Sequence, residues 1–148
     1  MPEKTIIRPF RPPDQQAVTA LWRECDLLRP QNDPVKDIAR KLRVNPEWFL
    51  VAEEEPGRIV GAVMAGYEGH RGWINYLAVA PSHRRTGLAR KLMAEAERLL
   101  RAAGCPKINL QVRTGNREAM EFYRRIGFAV DDVVSLGKRL VGDEAVES

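Results

Sequence analysis

The chain has 148 residues, 44% of them hydrophobic and 30% charged, which fits one domain with a buried core and excludes disordered, collagenous and coiled-coil chains. Its 24 Lys and Arg against 20 Asp and Glu leave a net charge of +4, compatible with a nucleic-acid partner without demanding one. No apolar run approaches the roughly 18 residues of a membrane span, and Met1–Ile7 offers no stretch suited to a signal peptide. The two cysteines, Cys25 and Cys105, lack metal-ligand spacing and make no disulfide framework, so a reduced, cytoplasmic protein without a metal is expected.

Thr5 to Arg8 reads as a first strand, closed by Pro9 and Pro12-Pro13. Asp14 is then a candidate N-cap for a helix carrying Ala17, Val18, Leu21, Trp22 and Cys25 at helical spacing. A loop leads to Asp33-Pro34, a cap and first-turn proline, and Val35, Ile38, Ala39 and Leu42 mark a second helix. Strands follow at Trp48–Glu53, Ile59–Tyr67 and Trp73–Ala80, separated by Glu55-Pro56-Gly57 and Gly69–Gly72, as an antiparallel meander. Leu88, Leu92, Ala96, Leu99 and Ala103 trace one face of a third helix, stopped by Gly104-Cys105-Pro106. Ile108, Leu110 and Val112 alternate with Asn109, Gln111 and Arg113 as a strand. Ala119, Phe122, Tyr123 and Ile126 form a fourth helix between Asn116 and Gly127, and Val133–Leu140 reads as a last strand. The order is β-α-α-β-β-β-α-β-α-β: one mixed α/β domain over residues 1–148, with a tail at about 141–148 that has few groups to bury and should fray.

The most informative junction is Arg84-Arg85-Thr86-Gly87-Leu88-Ala89, where a strand enters a helix through a small-residue turn. Unpaired N–H groups at a helix N-terminus, with the positive end of its dipole, suit phosphate oxygens. Gly87 lets the backbone approach, Ala89 leaves room, and the two arginines add charge-assisted contacts. An ordinary turn with solvated arginines is the plainer reading of this segment alone. It is neither a Walker loop nor a GxGxxG turn.

Two motifs in the expected order extend that reading. Leu77-Ala78-Val79-Ala80-Pro81 followed by Arg84-x-x-Gly87-x-Ala89 resembles motif A of the GNAT superfamily of acetyl-CoA-dependent N-acetyltransferases. Asn116-x-x-Ala119-x-x-Phe122-Tyr123-x-x-x-Gly127-Phe128 resembles its motif B, and the element order resembles its fold, a central, mostly antiparallel, splayed sheet flanked by helices. The resemblance implies acetyl-CoA as co-substrate and an amine acceptor, with no nucleic acid and no membrane; a homodimer stays open. It implies that backbone groups of Leu77, Ala78 and Val79 pair with the pantetheine arm. It further implies that N–H groups over Arg85, Thr86, Gly87, Leu88, Ala89 and Arg90, beside Arg84, cradle the pyrophosphate, and that Asn116 touches the pantetheine or phosphate end. Tyr123 is implied as the acid that protonates the departing thiolate, a role for which a phenol is still protonated at neutral pH. A core aromatic beside Phe122 and Ile126 is its plainer reading.

The base is less legible. In the ribosomal-protein alanine acetyltransferase branch of the family a Glu commonly stands at the strand position held here by Gln111, which cannot act as a base. Glu24, Asp26 and Asp33 in the helix-one to helix-two region, and Glu68 and His70 in a hairpin, are the other candidates. Their plainer readings are an N-cap for Asp33 and solvated loop residues for the hairpin pair, while Glu53 reads as a solvent-facing strand end. Leu21–Pro34, Tyr67–Gly72 and Ser135–Leu140 resemble a bacterial GNAT subgroup known as the YpeA type, which names no acceptor. Arg29 and Asn32 in the same loop either select a polar group or pin the loop. The leading expectation is thus direct acetyl transfer to a primary amine of a small molecule, peptide or protein. The alternatives are a ribosomal-protein alanine acetyltransferase-like modifier, a non-catalytic acyl-CoA-binding regulator, and a nucleic-acid module using the basic stretch Pro81–Lys91. That stretch lacks the interleaved aromatics of RNA-binding surfaces.

Overall fold

A computed structural model describes residues 5–143; residues 1–4 and 144–148, with most of the acidic tail, lie outside it. The elements are β1 (Ile6–Pro9), α1 (Gln15–Glu24), α2 (Pro34–Lys41), β2 (Phe49–Glu55), β3 (Arg58–Tyr67), β4 (Gly72–Val79), α3 (Leu88–Ala102), β5 (Ile108–Leu110) and α4 (Arg117–Arg125). The strands form one sheet in the order β1-β2-β3-β4-β5. The first four pair antiparallel and β5 joins β4 in parallel, as a crossover through α3 requires. This is the expected mixed, mostly antiparallel sheet flanked by helices.

Consecutive apolar residues in β2 (Phe49–Ala52) and β3 (Ile59–Ala65, with Gly61) are buried, the pattern of strands covered on both faces. α1 and α3 both pack on β3 and β4. α1 contributes Val18, Leu21 and Trp22; α3 contributes Leu88, Leu92, Met93, Ala96 and Leu100, a stripe at helical spacing. Burying one such Leu stabilises the fold by about 1.5–3 kcal/mol. α2 begins as its sequence demands: Asp33 Oδ1 accepts from the N–H groups of Val35 and Lys36, with Pro34 in the first turn.

Four expectations change. Val133–Leu140 forms no strand: Val133, Val134, Leu136 and Leu140 are 77–91% exposed, and the sheet edge it would need, β5, is only three residues long. A period-two pattern supplies a face but no partner, and pairing decides whether a strand forms. β5 itself stops at Leu110, leaving Gln111 outside the ladder. Asp14 does not cap α1; its carboxylate accepts from Arg8 and from the Arg11 N–H, and the charge pair outweighs the cost of burying it. The tail does not fray at Asp143, which is 3% exposed. Its carboxylate accepts from the Asp33 N–H (2.8 Å) and pairs with Arg40, while its carbonyl accepts from Lys36 Nζ.

Candidate active site

β4 and β5 share a ladder only from Gly72 to Ile74. On its other edge β4 pairs Asn75 with Met64 but Ala78 with Ala62, so Tyr76 and Leu77 stand opposite the single residue Val63. That is a β-bulge, and Tyr76 occupies it at φ +56. A non-glycine residue there costs about 1–2 kcal/mol. The Tyr76 ring offsets it by stacking on fully buried Trp22 (centroids 3.9 Å apart, 13° between planes). Beyond Ile74, around the bulge, β4 and β5 part beside an open cavity of about 1810 Å³, whose lining includes Cys25, Tyr76, Leu77, Gln111, Asn116 and Tyr123.

The proposed pantetheine and catalytic positions therefore converge in part. Leu77, Asn116 and Tyr123 line this cavity. Ala78 and Val79 remain in the β3 ladder, yet the Val79 carbonyl turns away from it to accept from Cys25 Sγ (3.3 Å) and Arg84 Nε (3.4 Å). The turn from Arg84 to Arg90 lies outside the cavity lining. Arg90 borders a separate cleft of about 120 Å³ with Ile126 and Phe128.

That turn has the conformation its sequence suggests. Arg85 and Gly87 take positive φ (+64 and +86), and no side chain caps α3. The first bond of the helix runs from Lys91 N–H to the Gly87 carbonyl, so Leu88, Ala89 and Arg90 keep their N–H groups outside the helical ladder. A Cβ on Gly87 would meet nothing within 4 Å, so the turn is open on that side. Two bonds tie its start to the rest of the chain. Thr86 Oγ1 donates to the His83 carbonyl, and His83 Nε2 lies 2.8 Å from Glu54 of β2, holding that carboxyl below its usual range. Arg84, Arg85 and Arg90 are exposed.

Tyr123 sits on the inner side of α4, edge-on to Phe122 (5.1 Å) and Phe128 (5.6 Å). Burial pushes its phenol up to about 12, and among the described residues the hydroxyl has no hydrogen-bond partner. A protonated, unengaged O–H facing the cavity is the state an acid needs. Asn116 caps α4 through Oδ1 on the Ala119 N–H (3.1 Å), which leaves its amide N–H2 for other work. Gln111 is exposed and donates to Ser135 Oγ.

The other candidates divide plainly. Asp33 is the cap of α2, and Glu68 closes its own hairpin by accepting from the His70 and Arg71 N–H groups, with His70 exposed. Glu53 does not merely face solvent: it accepts from Arg8 (3.0 Å) and from the Gly57 N–H (2.9 Å). Glu24 is exposed at the end of α1, and Asp26 reaches the cavity with its side chain 96% exposed. Arg29 pins its own loop by donating to the Asp26 and Leu28 carbonyls, and Asn32 is held by Arg139 (2.6 Å). Both cysteines are free thiols, and Cys105 contacts the Lys107 carbonyl.

Sequence reading missed one group. Tyr76 Oη donates to Asp37 Oδ2 of α2 at 2.7 Å, and Asp37 Oδ1 accepts from Arg40 (2.9 Å), whose other nitrogen holds Asp143. Burial and the Asp37 carboxylate together push the Tyr76 phenol well above its ordinary value. No spacing rule connects a helix carboxylate to a tyrosine 39 residues away. The only signal lay in an aspartate and an arginine three apart on α2.

A sheet that opens beyond Ile74, an uncapped helix following the bulged strand and a phenol lining the same cavity are thus set around one opening. Residues 14–128 match the Acetyltransferase (GNAT) family, and the chain belongs to that family as an N-acetyltransferase. An acetyltransferase of Pectobacterium atrosepticum is 50% identical over 137 residues, covering 93% of this chain and 96% of that one. Among solved structures, Ard1 from Thermoplasma volcanium superposes with a TM-score of 0.73 at 28% identity (86% of this chain, 84% of that one). Naa20 of Chaetomium thermophilum, solved with a bisubstrate analogue, gives 0.70 at 28% identity (84% and 71%). No helix among the described residues is long and apolar enough to cross a membrane.

Proposed function

We propose that this N-acetyltransferase moves the acetyl group of acetyl-CoA to a primary amine of a small molecule, peptide or protein by direct attack, with both substrates bound together. The observation that carries the reading is the parting of β4 from β5 after Ile74, just before the Tyr76 bulge, with Leu77 and Tyr123 both lining the cavity that opens there. The residues present suit the donor. The backbone of Leu77 at the bulge, on the side of β4 that β5 no longer covers, fits a chain of amides, and the unpaired N–H groups at the start of α3, with Arg84, Arg85 and Arg90, fit a pyrophosphate. Asn116 Nδ2 would reach the arm or the phosphates. Acetyl-CoA supplies an acyl group already activated for attack by nitrogen; the chain binds and orients it, and Tyr123 Oη gives its proton to the departing sulfur.

One protomer contains every group this scheme needs, so the reading treats residues 1–148 as a single catalytic domain. Two free cysteines support a reduced, cytoplasmic setting. The exposed Gln111 is no base, which favours an acceptor other than a ribosomal-protein alanine. The test is a screen of amines and peptides with acetyl-CoA, read as released CoA thiol. Amine-dependent thiol release is expected. A folded protein that binds acetyl-CoA and releases no thiol with any amine would instead be an acyl-CoA-binding regulator.

A further inference from the structure

An alkylamine is protonated at neutral pH, with a pKa near the roughly 10.4 of a lysine side chain, and must lose a proton before it attacks. The carboxylates lining the cavity are Asp26, Asp37, Glu97 and Asp131. Asp131 is paired with Lys107 (2.9 Å), Glu97 lies 3.9 Å from Arg101, and Asp26 is 96% exposed beside Arg29. Asp37 alone is bonded to a residue of β4, through the Tyr76 hydroxyl at the bulge where the sheet opens.

From this geometry, and resting on the acetyltransferase reading above, we propose that Tyr76 and Asp37 form the proton relay that deprotonates the acceptor. Tyr76 Oη takes a proton from the bound ammonium while its own proton passes along the 2.7 Å bond to Asp37 Oδ2. The ammonium becomes a neutral amine, Asp37 becomes a carboxylic acid, and the phenol ends as it began, so charge and protons balance. Tyr76 is the group that touches substrate; Asp37 orients it and receives the proton.

The surroundings suit this use. The Tyr76 ring is fixed by its stack on Trp22, and α1 brings that uncharged ring, not a competing charge, against it. Arg40, on the same helix as Asp37, bonds Oδ1 and leaves Oδ2 to the phenol. Arg40 is also engaged by Asp143 of the C-terminal segment, whose carbonyl accepts from Lys36, so its charge is shared between two carboxylates. From the α1–α2 loop, Asp26 and Arg29 face the same cavity.

The experiment compares n-butylamine, a lysine-like cation, with hydroxylamine, largely neutral at pH 7, as acceptors for wild type, Tyr76→Phe and Asp37→Asn. Thiol release is followed at saturating acetyl-CoA from pH 6 to pH 9, with the enzyme-free rate subtracted. Phe keeps the stack on Trp22, and Asn keeps one acceptor oxygen for Arg40 while its Nδ2 can donate to the Tyr76 oxygen, so each variant is read independently should the other fail to fold. With butylamine, each variant should lose about 10²-fold at pH 7, within the usual range for a positioned base, and recover about tenfold per pH unit as the free amine accumulates. With hydroxylamine, the loss should stay under about threefold. Equal losses for both amines at every pH would make the pair structural and overturn the relay, as would unchanged rates with butylamine. A wild type that releases no thiol with either amine or with any member of the screen overturns the parent reading and this one together. Butylamine turnover retained at pH 7 in both variants overturns the relay alone.

Discussion

Tyr123→Phe separates chemistry from fold with one atom. The ring stays where it is, edge-on to Phe122 and Phe128, and the hydroxyl has no partner among the described residues. No hydrogen bond is lost in the folded protein, so stability should hold within roughly 0.5 kcal/mol, the lower edge of what one bond contributes net. What disappears is the proton for the leaving sulfur. A positioned acid typically contributes about 10²–10⁴-fold, or about 2.7–5.5 kcal/mol of barrier. The loss should fall on kcat rather than KM, because the hydrogen bond strengthens only as charge develops on sulfur. Burial holds the phenol up to about 12, so it stays protonated across the assay range and wild type should show no alkaline loss from this group below about pH 9. The measurement is single-turnover acetyl transfer to an accepted amine, since slow product release would mask part of the effect. Wild-type single-turnover rates in a folded Tyr123→Phe protein would leave Tyr123 a packing residue and hand the proton to water.

Acetyl-CoA at 100 times its dissociation constant should stabilise the protein by about 2.7 kcal/mol, and Gly87→Glu should abolish that thermal shift by placing a carboxylate on the open side of the turn; an undiminished shift removes the turn from the site. In Gly72→Ala the new Cβ would lie 2.8 Å from Cys105 Sγ and 3.2 Å from Leu100 Cδ1, so overpacking should cost about 1–3 kcal/mol, roughly 2–12 °C in Tm, partly recovered by adding Cys105→Ala. An unchanged Tm would show that the thiol moves aside freely. Arg40 and the Asp33 N–H hold the Asp143 carboxyl at about 2, below its ordinary 3.8, so its contribution is complete above pH 3.8 and fades as pH falls through 2. Acid titrations of Tm should show Asp143→Asn losing part of that dependence; identical acid profiles would mean the carboxylate is not paired in solution.

The elements that bury their own faces were legible in the sequence to within a residue or two. The α3 stripe at Leu88, Leu92 and Ala96, the Asp33-Pro34 start of α2 and the meander of β2 to β4 follow local patterns that their packing reinforces, while the last turn of α3 buries Leu100 in place of the expected Leu99 and Ala103. The residues of both motifs stand where a strand meets a helix and where a helix is capped, so local chemistry announced them. What did not show was everything set by long-range pairing. Asp14 had a cap's residue type but met Arg8 first, and Asp143 read as part of a solvated tail but found Arg40. Val133–Leu140 carried a strand's pattern beside an edge too short to pair it. Spacing reports what a segment would bury, not which partner reaches it.

The bulge at Tyr76 joins these two levels. Asn75 and Leu77 flank Tyr76 in a run that reads as an uninterrupted strand, and a tyrosine there does not favour a positive φ. The ladder of β4 with β5 ends at Ile74, where β5 itself ends at Leu110, and the bulge lies two residues further on, beside the cavity that Leu77 lines. The strain at Tyr76 is held by contacts from two different elements: Trp22 of α1 beneath the ring and Asp37 of α2 at the hydroxyl. The side chain at the bulge is therefore anchored to both α1 and α2. If offsetting the strained backbone were its whole task, an apolar ring on Trp22 would suffice. The hydroxyl, its raised pKa and its carboxylate partner are surplus to that task, and surplus polar chemistry at a strained position beside a cavity is where a reaction finds its proton path.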